Sequence, residues 1–450
     1  MGRLFGTDGV RGIANSELTC ELAFKLGQAG AYVLASQVHR PSILVGRDTR
    51  ISGDMLEAAL VAGICSVGAR AMVLGVVPTP AIAYLTRYYN ADAGVMISAS
   101  HNPVEYNGIK FFDGRGYKLP DALEDRIESI ILDGSETIAL PTGIELGRRV
   151  RMRNARRDYV EFLKSTSGVS LNGLHVVLDC ANGSASEYAA TVLTDMGAKV
   201  MPYYCTPDGT DINDNCGSTH PQRLQQLVVE NGADVGLAFD GDADRLISVD
   251  DHGQVVDGDQ MMAIVGMHMH AKGQLKRDSI VSTVMSNMGL ELALKAAGIN
   301  NVRTRVGDRY VLEHMLEHGY NLGGEQSGHI IFLDLNTTGD GILSAIQLLT
   351  VMVETGRPLS RLSKCMTVLP QALVNATVSE EGKEGYADVP EIAARISDLE
   401  RKYSGQGRVF IRASGTEPLV RVMIEGKDRK ELEDDAFELA RMIERHFPKR

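Results

Sequence analysis

Gly94-Val-Met-Ile-Ser-Ala-Ser-His-Asn-Pro103 is the stretch of this chain that sets its fold class. Val95, Met96 and Ile97 form a short apolar run of the kind that makes a buried strand. The run breaks into small and polar residues, Ser98 to Asn102, and Pro103 ends any regular continuation. A strand that ends this way presents hydroxyls and an imidazole at the edge of a sheet, where open α/β folds hold their ligands. Ser100 is the candidate reacting group. Alone, the same residues more commonly make a Ser/Asn turn with no chemistry, so the meaning of Ser100 depends on the rest of the chain.

Outward from this stretch, strand-like and helix-like segments alternate. Before it come a Gly-rich segment, Phe5-Gly-Thr-Asp-Gly-Val-Arg-Gly12, with Arg11 in a flexible setting, and a helix over 17–35. Then follow a strand at 42–45 running into Gly46-Arg47-Asp48-Thr49-Arg50, a helix over 54–66, and a strand over 71–77 stopped by Pro78-Thr79-Pro80. After it, strands are predicted at 175–179, 199–204, 235–239, 279–283, 302–306 and 329–333, with helices between them, among them 186–196 and 259–270. The last 80 or so residues differ, with strands at 372–379, 408–412 and 419–425 and a helix over 390–402. A closing helix places Leu432, Ala436, Leu439, Ile443 and Phe447 on one face. The pattern is that of three layered α/β domains with mixed sheets between helices, followed by a smaller α+β domain. The boundaries fall at 1–152, 153–254, 255–368 and 369–450. Any sequence repeat among the three α/β units is too weak to claim.

The 450 residues are 44% apolar and 23% charged, enough for several cores. A net charge of −12 argues against a nucleic-acid surface, and any phosphate site must be built locally against that field. The basic run containing Arg148, Arg149, Arg151, Arg153, Arg156 and Arg157 lacks interleaved aromatics and reads as a solvated linker or helix face leading into a helix near Asp158. No run is long enough to span a bilayer, and the N-terminus is not a signal peptide, so no membrane association is expected. The six cysteines show no Cys-x-x-Cys spacing, which fits free thiols in a reducing cytoplasm.

Three further stretches carry chemistry. In Phe239-Asp240-Gly-Asp242-Ala-Asp244-Arg245, three carboxylates at the end of an apolar strand cannot comfortably stay ionised together without a cation. Hard oxygen donors of this kind suit Mg²⁺. An EF-hand loop is excluded, because Arg245 stands where its sixth-position glycine would be. A phosphatase with Asp240 as nucleophile and Asp242 as acid–base partner stays open. Gly323-Gly324-Glu325-Gln326-Ser327-Gly328-His329 is a turn in which Glu325 and Ser327 can meet vicinal sugar hydroxyls. Arg412-Ala-Ser414-Gly415-Thr416-Glu-Pro418, followed by Arg421, offers guanidinium groups, hydroxyls and backbone N–H groups to a phosphate dianion.

Together these four loops, in this order over nearly the whole chain, resemble the α-D-phosphohexomutases. Ser98–Pro103 is similar to that family's phosphoserine loop, Asp240–Arg245 to its metal loop, Gly324–His329 to its sugar loop and Arg412–Pro418 to its phosphate loop. The resemblance implies four domains around a central cleft and an isomerase that moves a phosphoryl group between two positions of a sugar. It implies Ser100 carried as phosphoserine and one Mg²⁺ per chain on Ser100, Asp240, Asp242 and Asp244. Glucose or glucosamine 1,6-bisphosphate is implied as activator. It also implies Glu325, Ser327, Arg245, Asp308, Arg412, Ser414, Gly415, Thr416 and Arg421 as substrate contacts, and His101, Lys110, Arg11 and His329 as groups near the reacting oxygens. The segment Phe5–Gly12, Ser98, Gln326 and Val306-Gly307-Asp308-Arg309 resemble the family's amino-sugar branch. Relatives acting on mannose and glucose phosphates usually carry Gly-His where this chain has Gly307-Asp308, so their histidine role does not transfer to position 308. The partner implied is a small sugar phosphate, and a homodimer stays open.

Overall fold

Residues 3–6, 8–34, 40–414 and 418–449 are described by the computed structural model. Its contacts divide the chain into two units, Met1–Met285 with Gly298–Cys365, and Ser286–Ala297 with Met366–Arg450. The first unit contains three sheets. The first has β1 (Val10–Ile13), β2 (Ser42–Arg47), β3 (Arg70–Val76), β4 (Ala93–Ile97), β5 (Tyr106–Asp113) and β6 (Arg149–Arg151), in the order β1-β5-β4-β2-β3-β6. The second has β7 (His175–Asp179), β8 (Lys199–Tyr203), β9 (Val235–Phe239), β10 (Leu246–Asp250) and β11 (Val255–Val256), in the order β11-β10-β9-β7-β8. The third has β12 (Ser279–Thr283), β13 (Asn300–Thr304), β14 (Leu322–Gly324) and β15 (Ile330–Phe332), in the order β13-β12-β14-β15.

One arrangement recurs in all three. A buried strand that is parallel to its inner neighbour ends in a short loop and returns as an antiparallel strand: β4 to β5, β9 to β10, β14 to β15. The apolar composition of β4 and β9 follows from burial on both faces, as helices cover both sides of a parallel sheet. The three loops made by these reversals are the Ser98–Pro103, Asp240–Arg245 and Glu325–His329 stretches. The second unit is a sheet of β16 (Gln371–Thr377), β17 (Arg408–Ala413) and β18 (Leu419–Glu425), all antiparallel, with helices Pro390–Tyr403 and Arg429–His446. Leu432, Ala436, Leu439 and Ile443 are fully buried there, as their spacing predicts. The turn between β17 and β18 is again a motif loop.

Several sequence expectations need correcting. Arg11 is not in a flexible loop: it lies in β1, opposite Gly108 of β5. The strand β5, which carries Lys110, and the strand β10 went unread because motif residues fill their ends. The basic run is not purely linker or helix face. Its Arg149–Arg151 part is an exposed edge strand parallel to β3, and helix Ala155–Ser165 takes up Arg156 and Arg157. The helix expected over 17–35 starts at Cys20, where Thr19 Oγ1 accepts the Leu22 N–H; position 35 lies outside the described residues. The helix expected over 186–196 is a single-turn 3₁₀ segment, Ser184–Glu187, followed by Ala189–Asp195.

A buried carboxylate fixes helix Gly341–Thr355 against the metal-loop candidate. Asp340 caps the helix by accepting the Leu343 N–H at 3.0 Å, and also accepts the Tyr159 hydroxyl at 2.7 Å and the Asn336 amide at 3.2 Å. The next residue's N–H, of Gly341, donates to Ala243 O at 3.0 Å. Burial raises the Asp340 carboxyl to about 6, with the hydrogen bonds opposing it. Between about pH 4 and 6 the folded chain therefore holds a proton that the unfolded chain has released. This group's stabilising contribution is fully present at low pH and is lost as pH rises through 6. The stability of the wild type minus that of Asp340→Asn, measured by denaturant unfolding, is expected to grow by about 1 kcal/mol from pH 7 to pH 5. A difference that does not change with pH would contradict the raised carboxyl.

Candidate active site

Ser100 sits at the reversal between β4 and β5 with a left-handed backbone, φ +52°, unusual for a non-glycine residue. That conformation aims its hydroxyl out of the turn, where Oγ donates to Asp240 Oδ2 at 2.6 Å and lies 3.2 Å from His101 Nδ1. Burial, followed by the Arg245 and Arg11 charges, lowers the His101 imidazole to about 4, so it is neutral at neutral pH. The loop around Ser100 is held by its own Ser98 and by groups from other loops. The Ser100 N–H donates to Ser98 Oγ at 2.9 Å, and Ser98 Oγ donates to Asp48 Oδ2 at 2.6 Å. Arg50, fully buried, pairs with Asp48 at 2.9 Å. Its guanidinium also donates to four carbonyls, of Ser100 at 2.9 Å, Asn102 at 2.7 Å, Tyr106 at 3.0 Å and Pro103. The Asn213 amide, from the second sheet's loops, donates to the Ser100 and Asn102 carbonyls at 2.9 and 3.1 Å.

The loop after β9 meets this one closely. A Cβ on Gly241 would stand 2.6 Å from Ser100 O, so only glycine fits between Asp240 and Asp242. Ala243 also takes a left-handed backbone, φ +57°, which turns the carboxylates to one side. Oxygens of Asp240, Asp242 and Asp244 lie within 4.8 Å of one another, and all three residues are buried. Burial, then the neighbouring Asp244 and Asp242 charges, drives the Asp240 carboxyl well above its usual range. For Asp244, burial is outweighed by His329, Lys110 and Arg245, which hold it low. The Asp242 Oδ1 and Asp244 Oδ1 atoms are buried and have no hydrogen-bond partner among the described residues. Three converging carboxylates beside a serine hydroxyl, two of them with an orphaned oxygen, fit a hard divalent cation such as Mg²⁺. The second Asp242 oxygen is already engaged, by Thr79 Oγ1 and by Lys110 Nζ at 2.9 Å.

The loop after β14 is stapled to the same region. Gly328 has φ +92°, and a Cβ there would lie 1.9 Å from Leu246 O, whose own N–H donates to Gly328 O at 3.1 Å. Glu325 Oε1 accepts the Gly307 N–H at 3.0 Å, while Ser327 is exposed. The Gln326 amide turns away to Asp257 at 3.1 Å, in a helix-capping arrangement. His329 is buried, with Nδ1 3.5 Å from Asp244, Nε2 3.5 Å from Asp308, and the Gly339 N–H donating to Nε2 at 3.1 Å. Burial alone would lower this imidazole; the carboxylates of Asp244 and Asp308 hold it above its ordinary value. The Asp308 carboxylate is paired with Lys118, which also reaches Asp8 at 2.6 Å. Asp8 in turn pairs with Arg11 and with Lys110, the latter at 2.9 Å. Arg245 is mostly buried, with its backbone N–H donating to Asp240 Oδ1 at 3.2 Å. The first unit thus brings together Arg11, Ser100, His101, Lys110, Asp240, Asp242, Asp244, Arg245, Asp308, Glu325 and His329.

In the second unit, Arg412 and Arg421 stand directly opposite each other on β17 and β18. Ser414 is buried, and its N–H closes the hairpin on Leu419 O at 2.9 Å. Two guanidinium groups in cross-strand register offer their donors to an anion from one face of the sheet. Gly415 and Thr416 lie outside the described residues.

Asp8, Asp48, Arg50, Thr79, Lys118 and Asn213 are site residues that sequence reasoning did not single out. A signal existed for two of them: Asp48–Arg50 follows β2, a parallel neighbour of β4, so both loops emerge at the same sheet edge. Breaking a buried ion pair from one side leaves an uncompensated charge. Arg50→Leu is therefore expected to cost about 3–5 kcal/mol in denaturant unfolding. Adding Asp48→Asn to it is expected to cost much less than the sum of the single changes. Strict additivity would mean that the two side chains act independently.

Comparison with known proteins bears on the whole chain. Family models of phosphoglucomutase/phosphomannomutase match in succession: alpha/beta/alpha domain I over residues 2–137, domain II over 157–253, domain III over 257–369 and the C-terminal domain over 373–442. A phosphoglucosamine mutase of Acetivibrio thermocellus is 61% identical over 445 residues, 99% of each chain. One of Clostridium novyi is 60% identical over 444 residues, again 99% of each. Among solved structures, a phosphoglucomutase/phosphomannomutase family protein of Burkholderia thailandensis superposes with a TM-score of 0.80 at 23% identity, covering 99% of this chain and 98% of that one. An Aspergillus fumigatus N-acetylphosphoglucosamine mutase, solved with GlcNAc-6P and magnesium, gives 0.69 at 19% identity, covering 98% and 95%. Among the described residues no helix is long and apolar enough to cross a membrane. The chain belongs to the phosphoglucomutase/phosphomannomutase family, the α-D-phosphohexomutases, and within it is most like the phosphoglucosamine mutases.

Proposed function

We propose that this chain interconverts glucosamine 6-phosphate and glucosamine 1-phosphate, with Ser100 as the phosphoryl carrier, and so supplies amino sugar for UDP-N-acetylglucosamine and cell-wall synthesis in the cytoplasm. The observation that carries the reading is the Ser100 hydroxyl, 2.6 Å from Asp240, where three buried carboxylates converge. Relatives of about 60% identity over 99% of their length, named phosphoglucosamine mutase, support the substrate.

In the first half-reaction, phosphoserine 100 gives its phosphoryl group to the sugar O1; the P–Oγ bond breaks as the P–O1 bond forms, and the O1 proton leaves to a base. The product is a 1,6-bisphosphate, which reverses end for end. In the second half-reaction the Ser100 hydroxyl attacks the 6-phosphate, and O6 leaves as the hydroxyl. His101 Nδ1, neutral and 3.2 Å from Oγ, is the group placed to exchange a proton with Ser100. Lys110, fixed between Asp8 and Asp242, presents a permanent positive charge beside the carboxylates. Asp240, Asp242 and Asp244 would hold Mg²⁺, which when bound withdraws charge from the transferring phosphoryl group. Glu325 and Ser327 are proposed to hold ring hydroxyls, with Glu325 oriented by the Gly307 N–H. Arg412, Ser414, Gly415, Thr416 and Arg421 are proposed for the phosphate that is not being transferred, and Arg11, Arg245, Asp308 and His329 for the surroundings of the reacting oxygens.

The test is to incubate the protein with glucosamine 6-phosphate, Mg²⁺ and a trace of glucose 1,6-bisphosphate, and to follow phosphorus resonances. Glucosamine 1-phosphate is expected to appear, faster than the corresponding products from glucose and mannose 6-phosphates. Intact mass is expected to show a population one phosphate heavier that vanishes in Ser100→Ala, along with turnover. Asp242→Ala is expected to abolish both activity and its Mg²⁺ dependence. Release of inorganic phosphate would favour an aspartyl-phosphate phosphatase, and binding without conversion a sensor; an active Ser100→Ala enzyme would rule out the phosphoserine mechanism.

A further inference from the structure

Helix Asp308–His318 begins beside the candidate site and ends on the surface with His314-Met-Leu-Glu-His318. Two imidazoles at i and i+4 lie on one face of a helix, the spacing used by helical zinc sites. Here the rings stack with centroids 4.0 Å apart, and each also stacks on Tyr320 at 5.9 Å. Both rings pack on a third, and this stack opens when their in-plane lone pairs turn toward one ion. Donor atoms of His314, Glu317 and His318 lie within 4.8 Å of one another. Bonds of about 2.0–2.1 Å to a tetrahedral ion need donors roughly 3.3 Å apart, which small side-chain rotations supply at an exposed helix end.

A separate feature fixes the chemistry of one ring. His318 Nδ1 lies 3.1 Å from the His314 carbonyl oxygen, an atom that only accepts, so Nδ1 carries the proton and donates it. The Nε2 lone pair of the neutral ring is then directed away from the backbone. Metal-ligating histidines are held in this way, with the other ring N–H given to a carbonyl or carboxylate. The position adds to the attraction, because the last turn of a helix, closed here by Gly319 with φ +73°, favours a cation. The Arg277 guanidinium lies beside Gly319, and the Glu317 carboxylate lies 3.8 Å from His318 Nδ1.

We propose that His314, Glu317 and His318 form a second metal site, for a divalent transition ion such as Zn²⁺, Ni²⁺ or Cu²⁺. It differs in kind from the three-carboxylate site, since imidazole nitrogen selects these ions and Mg²⁺ takes oxygen donors. Water completes the coordination. The ion ties together the last two turns of a helix whose first residue is Asp308, so it raises the unfolding temperature of the chain.

The experiment uses the untagged full-length protein with millimolar Mg²⁺ present, titrated with Ni²⁺ against a chromogenic chelator. One Ni²⁺ per chain is expected at micromolar metal. His314→Ala and His318→Ala are each expected to weaken it more than roughly tenfold, and Asp242→Ala to leave it unchanged. Bound Cu²⁺ is expected to show two coupled nitrogens by electron paramagnetic resonance, falling to one in either variant. Neither histidine takes part in the proposed reaction, so both variants keep Mg²⁺-dependent turnover, which also reports that they are folded. Binding unaltered by both histidine changes, binding lost in Asp242→Ala, or no uptake below millimolar metal would each overturn the proposal.

Discussion

A buried arginine determines where the reactive serine can stand. Where β4 reverses into β5, the chain leaves the carbonyls of Ser100, Asn102, Pro103 and Tyr106 facing inward without strand partners. Buried carbonyls must be satisfied, and a planar guanidinium with five donors can serve several at once. Arg50 does so only because Asp48 neutralises it, and the same Asp48 oxygen accepts from Ser98, which accepts from the Ser100 N–H. A buried ion pair is weak evidence for stability, since an apolar replacement of equal volume is often as stable. Its role here is geometric: it holds Ser100 in a left-handed conformation that the residue would not otherwise choose.

Charge balance links this geometry to the chemistry. Around Ser100 the chain gathers the carboxylates of Asp8, Asp48, Asp240, Asp242, Asp244 and Asp308, and the permanent cations Arg11, Arg50, Lys110, Lys118 and Arg245. Most of the cations are committed to pairs, which leaves Asp240 driven toward its protonated form by burial and by its neighbours. A phosphoseryl group brings about −1.5 to −2 charges and a divalent cation brings the opposite. A phosphoserine alone would add to the crowded negative charge, whereas a divalent cation relieves it. The same site that strains to hold three carboxylates is therefore suited to hold a metal ion, and a phosphoserine beside it.

What the sequence made legible was whatever is local. The loops at Ser98–Pro103 and Asp240–Arg245 stand out because each interrupts a short apolar run with polar and small residues, burial on both faces making those runs continuous, and Gly323–His329 stands out by its glycines and polar side chains. The terminal helix was legible because its period is 3.6. The residues that went unread have partners far away in the chain. Arg50 binds carbonyls about fifty residues on, Thr79 binds Asp242, and Asn213 binds Ser100. No spacing rule reports such pairs. Gln326 shows the converse: it was read with the sugar loop, yet its amide binds Asp257 at a helix start.

The same limitation hid the repeat. A sequence repeat among the three α/β units is too weak to claim, yet each places its loop at the same topological point, where the last parallel strand gives way to an antiparallel return. A parallel strand directs its C-terminal end toward the ligand edge of its sheet, and an immediate hairpin keeps the loop short and its side chains rigidly mounted. What then lets three such loops converge is the absence of side chains where they touch. Gly241 lies against the Ser100 carbonyl, Gly183 against Gly241, and Gly328 against Leu246, each closer than a Cβ would allow. At Gly241 and Gly328 glycine is thus set in part by contact with a loop or strand of another sheet, so a motif read within one loop already carries information about the others.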